Sequence, residues 1–355
     1  MGYIKNNVTT LSWTECIELQ DQVKKSGIQQ FCNLWARAKD RQIPLERLKW
    51  GDEVEYHIVS FKDEQKQAAL TAEGYQLITE LTAVNPIPGF SVKEEFGSWT
   101  AEIVPDAPYS LEAKVNEATE PLKSLQVRRT NVNNRLRDFG CQILSMPNFP
   151  SLGSKGFYTS NNPDVMKRAL EDDLSLNNNL SLSQYFVDNL TNVHPKFQAI
   201  CMNYRQRRGR KVDARIPIYQ DEKTQEQDIH IDARGFGGGM CCLQVTFESQ
   251  NVEHARFLHD SFLGLASVLP VLAACTPIYR GRLADQDFRY NVMQFMWDDR
   301  TVDEQETGFV PRSRCGGMSH YISDIPEYKS EEANDAPEPE GNPDFIQKLV
   351  ENGVP

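Results

Sequence analysis

Two glutamates, Glu53 and Glu55, stand in the strand-like stretch KWGDEVEYHIVSF (49–61). Residues two apart on a strand share a face, so these two lie with His57, Val59 and Phe61, opposite Val54, Tyr56 and Ile58. Val59 and Phe61 mark the far end of the glutamate face as buried. The carboxylates at its near end then either sit in water at a sheet edge or are paired, protonated or metal-bound. Two acidic stems about 7 Å apart on a rigid strand suit a divalent cation with oxygen ligands. On this segment alone both readings stand.

Other segments carry related chemistry. EEFGSWTAEIV (94–104) offers Glu95 and Glu102. Their odd separation puts them on opposite faces of one straight strand, unless Gly97-Ser98 re-phases it. In CCLQVTFE (241–248), Cys241, Leu243, Val245 and Phe247 form an expected core face, and Cys242, Gln244, Thr246 and Glu248 a polar one. Gln244 is a neutral oxygen ligand, a substrate hydrogen-bond donor or a plain surface residue. GFGGG (235–239) could bring backbone amides to a phosphate, yet it meets neither the Walker nor the Rossmann pattern. Arg280, Arg282 and Arg289 in YRGRLADQDFRY (279–290) have the fork that matches carboxylate and phosphate. The basic run YRQRRGRK (204–211) is an anion-binding loop, a localisation-like basic run or, as the composition favours, a solvated turn. The six histidines lack zinc spacing, and no nucleophile elbow or cysteine-nucleophile signature occurs, which leaves oxygen-ligand magnesium chemistry.

The elements that must position these groups follow from periodicity. Ser12 three residues before Glu15 opens a helix over 12–39 as a capping box, and Gly27 could interrupt it. Helices are expected over 69–82, 110–139, part of 183–201 and 252–275. Strands are expected within 90–104 and over 141–146, 212–219, 228–232 and 240–248. The acidic stretch 326–343 favours a flexible connection before a short helix at 344–350. The chain divides on this reading into a core, 1–320, and an acidic tail, 321–355.

Composition narrows the function. The 355 residues carry a net charge of −12, with a pI near 5.1, which disfavours a nucleic-acid binder. No apolar run is long enough to span a bilayer, the N-terminus lacks a secretory core, and Asn6 breaks a myristoylation signal. Eight scattered cysteines point to reduced thiols in the cytoplasm.

Taken in order, LKWGDEVEY (48–56), EFGSWTAE (95–102), FPSLG (149–153), RQRRGRKVDARIPI (205–218), DARGFGGGMCCLQVTF (232–247), TPIYRGRLADQDFRY (276–290) and DDRT (298–301) resemble eukaryotic-type glutamate–cysteine ligase, catalytic subunit. The resemblance implies an α+β fold: a curved, mainly antiparallel sheet forming a glutamine-synthetase-like funnel, here incomplete, with outer helices. It implies that ATP phosphorylates the γ-carboxyl of L-glutamate and that L-cysteine attacks the acyl phosphate, giving γ-glutamylcysteine for glutathione biosynthesis. It implies magnesium, with manganese as the alternative ion, held by Glu53, Glu55, Glu95, Glu102 and Gln244. Glu53, Glu55 and Arg289 take catalytic roles; Arg289 binds glutamate, and Cys242 and Gln244 line the substrate site. A modifier subunit is an implied partner. The resemblance covers most of this chain and about half of the family architecture. A later motif like VEFRPME, with a further glutamate and arginine, is not found in these residues. The alternative implied is an inactive short form that binds or regulates a full-length ligase or its modifier subunit.

Overall fold

The computed structural model describes residues 9–111, 119–171, 173–174, 178–316, 320–329, 333–334 and 343–354. The strands used below are β1 (Lys49–Lys62), β2 (Gln67–Thr71), β3 (Phe90–Glu94), β4 (Thr100–Pro105), β5 (Tyr109–Ser110), β6 (Cys141–Leu144), β7 (Tyr158–Thr159), β8 (Ala214–Pro217), β9 (Asp228–Ile231) and β10 (Leu243–Phe247). The helices used below are α1 (Trp13–Ala38), α2 (Gly74–Val84), α3 (Glu120–Leu136), α4 (Pro163–Arg168), α5 (Pro195–Arg208), α6 (Gly235–Gly238), α7 (Val252–Ala266), α8 (Leu269–Ala273), α9 (Tyr290–Trp297), α10 (Val302–Thr307) and α11 (Pro343–Glu351).

Strand β1 organises an eight-stranded, mostly antiparallel sheet that curls into an open half-barrel. Its register shows how one 14-residue strand serves so many neighbours. Val54 pairs with Leu243 and with Ile103, and His57 with Leu144 and with Thr100. A residue has only two edges, so β10 and β6 follow one another along one edge of β1, with β4 on the other. Glu55 falls in the interval between β10 and β6.

The two faces of β1 behave differently. Val54, Tyr56 and Ile58 pack with Ile78 of α2 and with Val132 and Leu136 of α3. Val59, on the opposite face, enters a second core around Phe96, Trp99, Phe186 and Phe236. Burying each such ring fully contributes about 1.5–3 kcal/mol. Phe61, expected to be buried beside Val59, is 38% exposed because the sheet ends there. Buried Arg128 of α3 clamps the helix face: it pairs with Asp52 and donates to the Ile103 carbonyl at 2.8 Å, while Tyr109 donates to Asp52 at 2.9 Å.

Several expected elements change. The capping box of α1 is present and Gly27 does not interrupt the helix. Residues 69–71, expected to be helical, join β2, whose partner is the far end of β1. The expected 110–139 helix is α3, with 112–118 outside the described residues. Most of 326–343 is likewise outside them, but α11 is formed, and Trp35 of α1 donates to the Gly353 carbonyl at 3.1 Å. The expected core face of β10 is open: Leu243 is 60% exposed, Val245 41% and Phe247 40%.

Candidate metal and substrate site

Glu55 sits on β1 directly opposite Glu102 on β4. Glu95 joins them because β3 and β4 are a hairpin: Glu94 pairs with Ala101 and Lys93 with Glu102. Glu95, next after Glu94, therefore falls on the Glu102 face. The re-phasing expected at Gly97-Ser98 is a chain reversal rather than a bulge. Thr100 secures the turn by donating its N–H and hydroxyl to the Gly97 carbonyl, at 2.9 and 2.7 Å.

Each of Glu55, Glu95 and Glu102 offers a carboxylate oxygen, and these oxygens all lie within 4.8 Å of one another. Such crowding opposes ionisation. Burial, then the Glu55 charge, pushes the Glu95 carboxyl up to about 7. Burial, then Glu95 and Glu53, pushes Glu102 up to about 7 as well. Glu55 is raised too, chiefly by burial, although hydrogen bonds from Cys242 oppose the shift. Glu53 stands beside the trio, where its charge helps to raise Glu102, with Gln244 as its cross-strand partner on β10. Gln244 donates its amide to Glu55 at 3.2 Å, and the Cys242 N–H donates to the other Glu55 oxygen at 2.9 Å. A compact set of oxygen donors, charged only at a cost, fits a hard divalent cation.

Beside this wall opens a largely apolar cavity of about 650 Å³, lined by Glu55, Pro147, Cys242, Leu269, Phe288 and Arg289. Arg289 spans the interval between β6 and β10: one of its terminal nitrogens donates to Cys241 and Pro147 carbonyls, at 2.8 and 3.3 Å. Its charge bears on Glu55, favouring the carboxylate. Burial pushes the Cys242 thiol up to about 12, and the neighbouring Glu55 adds to this, so the group stays a neutral thiol. The structure thus gathers Glu53, Glu55, Glu95, Glu102, Cys242, Gln244 and Arg289 into one region.

The chain matches the family model described as glutamate-cysteine ligase over residues 2–355. It belongs to the glutamate–cysteine ligase family. It is 32% identical to the glutamate–cysteine ligase catalytic subunit of Homo sapiens over 354 residues, which cover 91% of this chain and 53% of that protein. The catalytic subunit of Mus musculus is 31% identical with the same coverage. The glutamate–cysteine ligase of Neurospora crassa is 27% identical over 98% of this chain and 52% of its own. The chain spans about half the length of the curated relatives it matches.

For this family member, other expected anion sites resolve differently. GFGGG is no phosphate cradle, because its glycines serve packing. A Cβ on Gly235 would lie 2.2 Å from Phe186, and one on Gly239 2.4 Å from Trp99. Arg280 is held in place, stacked 3.2 Å from the Tyr185 ring centre and donating to the His230 carbonyl at 2.9 Å. Two groups near the carboxylates had no role assigned from the sequence. Lys196, at the start of α5, is the cation whose charge opposes the rise of Glu95; a lysine just after His-Pro carries no motif that would mark it. His57 lies fully buried under the site. Its Nδ1 accepts from the Trp99 indole at 3.2 Å and lies 3.4 Å from the Cys241 sulfur. Burial, aided by Arg289, lowers it to about 3, so it supports the site as a neutral ring.

Proposed function

We propose that this chain carries the metal-binding wall and part of the substrate pocket for ATP-dependent joining of L-glutamate to L-cysteine. The observation that carries the reading is the trio Glu55, Glu95 and Glu102, with oxygens within 4.8 Å, beside a cavity bearing Cys242 and Arg289. Glu53, Glu55, Glu95, Glu102 and Gln244 would hold magnesium, or manganese in its place. That ion would offset charge as a phosphoryl group passes from ATP to a carboxylate.

The chain's own residues then have distinct tasks. Strand-borne carboxylates keep fixed spacing, which suits an ion that demands near-octahedral geometry. With one terminal nitrogen committed to two carbonyls, Arg289 presents its remaining N–H donors to the glutamate carboxylate. The apolar lining around Cys242 excludes water from the acyl phosphate, where the cysteine amine forms the new C–N bond and phosphate leaves. The product, γ-glutamylcysteine, is a precursor of glutathione. Among the described residues no helix is long and apolar enough to cross a membrane, and we infer a cytoplasmic enzyme.

A second reading has its own observation. The exposed apolar residues of β10 are what a surface covered by another chain would present. On that reading this chain binds or regulates a full-length ligase or its modifier subunit. ADP release by the purified chain, with Mg–ATP and L-glutamate, separates the two. Cysteine-dependent release that is lost in Glu53→Gln supports catalysis; no release from the folded chain rejects it in favour of a binding role.

A further inference from the structure

The basic run 204–211 is not a solvated turn throughout. Arg205 and Arg208 of α5, Lys211 and Arg234 line a small cavity of about 20 Å³, together with Ser181 and Cys201. Arg234 is 4% exposed. Its guanidinium lies 3.8 Å from the centre of the Tyr204 ring and 4.7 Å from that of Trp297, two rings that meet nearly at a right angle. Ring contacts of this kind offer π faces but no lone-pair acceptor for its N–H donors. Both terminal nitrogens of Arg234 are buried and meet no hydrogen-bond acceptor, and neither does the buried Nη1 of Arg205.

The other charges of the wall are already engaged. Arg208 donates to the Asp298 and Arg210 carbonyls, at 2.7 and 3.1 Å. Lys211 pairs with Asp232, which also accepts from Ser183. Asp188 accepts from the Leu180 N–H and from both donors of Ser181. Asp299 lies 3.7 Å from Arg207. Among the described residues, neither Arg205 nor Arg234 forms an ion pair.

Asp299 bears on Arg234 only through its charge, and buried guanidinium donors without an acceptor are unfavourable, so something in the cavity supplies one. We propose that this cavity binds one monatomic anion, a halide such as chloride. Its volume exceeds the roughly 10–15 Å³ that one water-sized occupant needs, and it is too small for phosphate or sulfate. Two guanidiniums without carboxylate partners favour a charged occupant over water. The anion would also steady the route to the carboxylate wall. The Arg234 carbonyl accepts from Gly237 and Gly238, at 3.0 and 2.8 Å, and this turn leads to Cys242, whose N–H holds Glu55.

The test is thermal unfolding of the chain in sodium chloride against sodium gluconate at equal ionic strength, with crystals soaked in bromide. Chloride should raise Tm saturably, by about 2 °C at ten times its Kd. An anomalous bromide peak should appear beside Arg234. Arg234→Met should abolish the chloride response. If that variant does not fold, Arg205→Gln should weaken chloride binding by about tenfold or more. A water in place of the bromide peak would overturn the proposal, and so would an equal chloride response in wild type and variants.

Discussion

Replacing Glu102 by glutamine should make the metal-free chain more stable while removing its response to metal. Two of the three crowded carboxyls, Glu95 and Glu102, titrate near 7 rather than at the ordinary 4.5. A carboxyl with a raised pKa binds its proton more tightly in the folded than in the unfolded chain. Stability is therefore lost as pH climbs from about 4.5 to about 7, and stays lost above. Keeping Glu102 charged at about pH 8 costs at most roughly 3 kcal/mol, and less once the partial solvent exposure of the carboxyl screens it. Part of that cost is repulsion shared with Glu95, so an uncharged amide should return roughly 1–3 kcal/mol, or a few degrees in Tm. The assay is calorimetric unfolding with a chelator present, at about pH 5 and about pH 8. Glu102→Gln should match wild type at the lower pH, where the carboxyl is largely protonated, and exceed it at the higher. Added Mg2+ should raise the wild-type Tm and leave the variant nearly unmoved. A variant less stable than wild type at about pH 8, or one retaining the full magnesium response, would refute the like-charge account.

Other expectations follow from the same geometry. Magnesium affinity should fall as pH drops below about 7, by up to about tenfold per pH unit for each of Glu95 and Glu102, which must lose a proton to bind; calorimetric titration at three pH values checks it, and a flat profile contradicts it. Arg289→Ala should weaken L-glutamate more than ATP in equilibrium binding, and equal losses would deny it the substrate role. Arg128→Ala leaves Asp52 buried without its ion pair and should cost about 3–5 kcal/mol in denaturant unfolding, with a loss below about 1 kcal/mol counting against a structural clamp. Gly239→Ala sets a Cβ 2.4 Å from Trp99 and should destabilise by about 1–3 kcal/mol, which a Tm measurement reads directly.

How much of this was legible in the sequence depends on the range of the interaction. Glu53 and Glu55 were readable because strand parity is local. So was α1, whose capping box needs only Ser12 and Glu15. Glu95 joining Glu102 was half legible: the parity conflict was visible, but the hairpin that resolves it depends on pairing with residues beyond the turn. Residues 69–71 had helical composition yet became a strand, because the end of β1 offers an edge that no local pattern reveals. The apolar alternation of Leu243, Val245 and Phe247 gave the strand correctly and its burial wrongly, since alternation says which residues share a face and not what covers it. GFGGG shows the same limit. Its glycines looked suited to phosphate, whereas rings from Phe186 and Trp99, distant in sequence, explain them by contact.

The account rests on Glu55, Glu95 and Glu102 forming one divalent-cation site. Electron paramagnetic resonance of Mn2+ added to the purified chain tests it most directly, with Glu55→Gln and Glu95→Gln as controls. The account predicts a protein-bound Mn2+ signal in wild type, displaced by Mg2+ and lost or greatly weakened in both variants. Free Mn2+ alone in wild type, or the same bound signal in all three proteins, would contradict it.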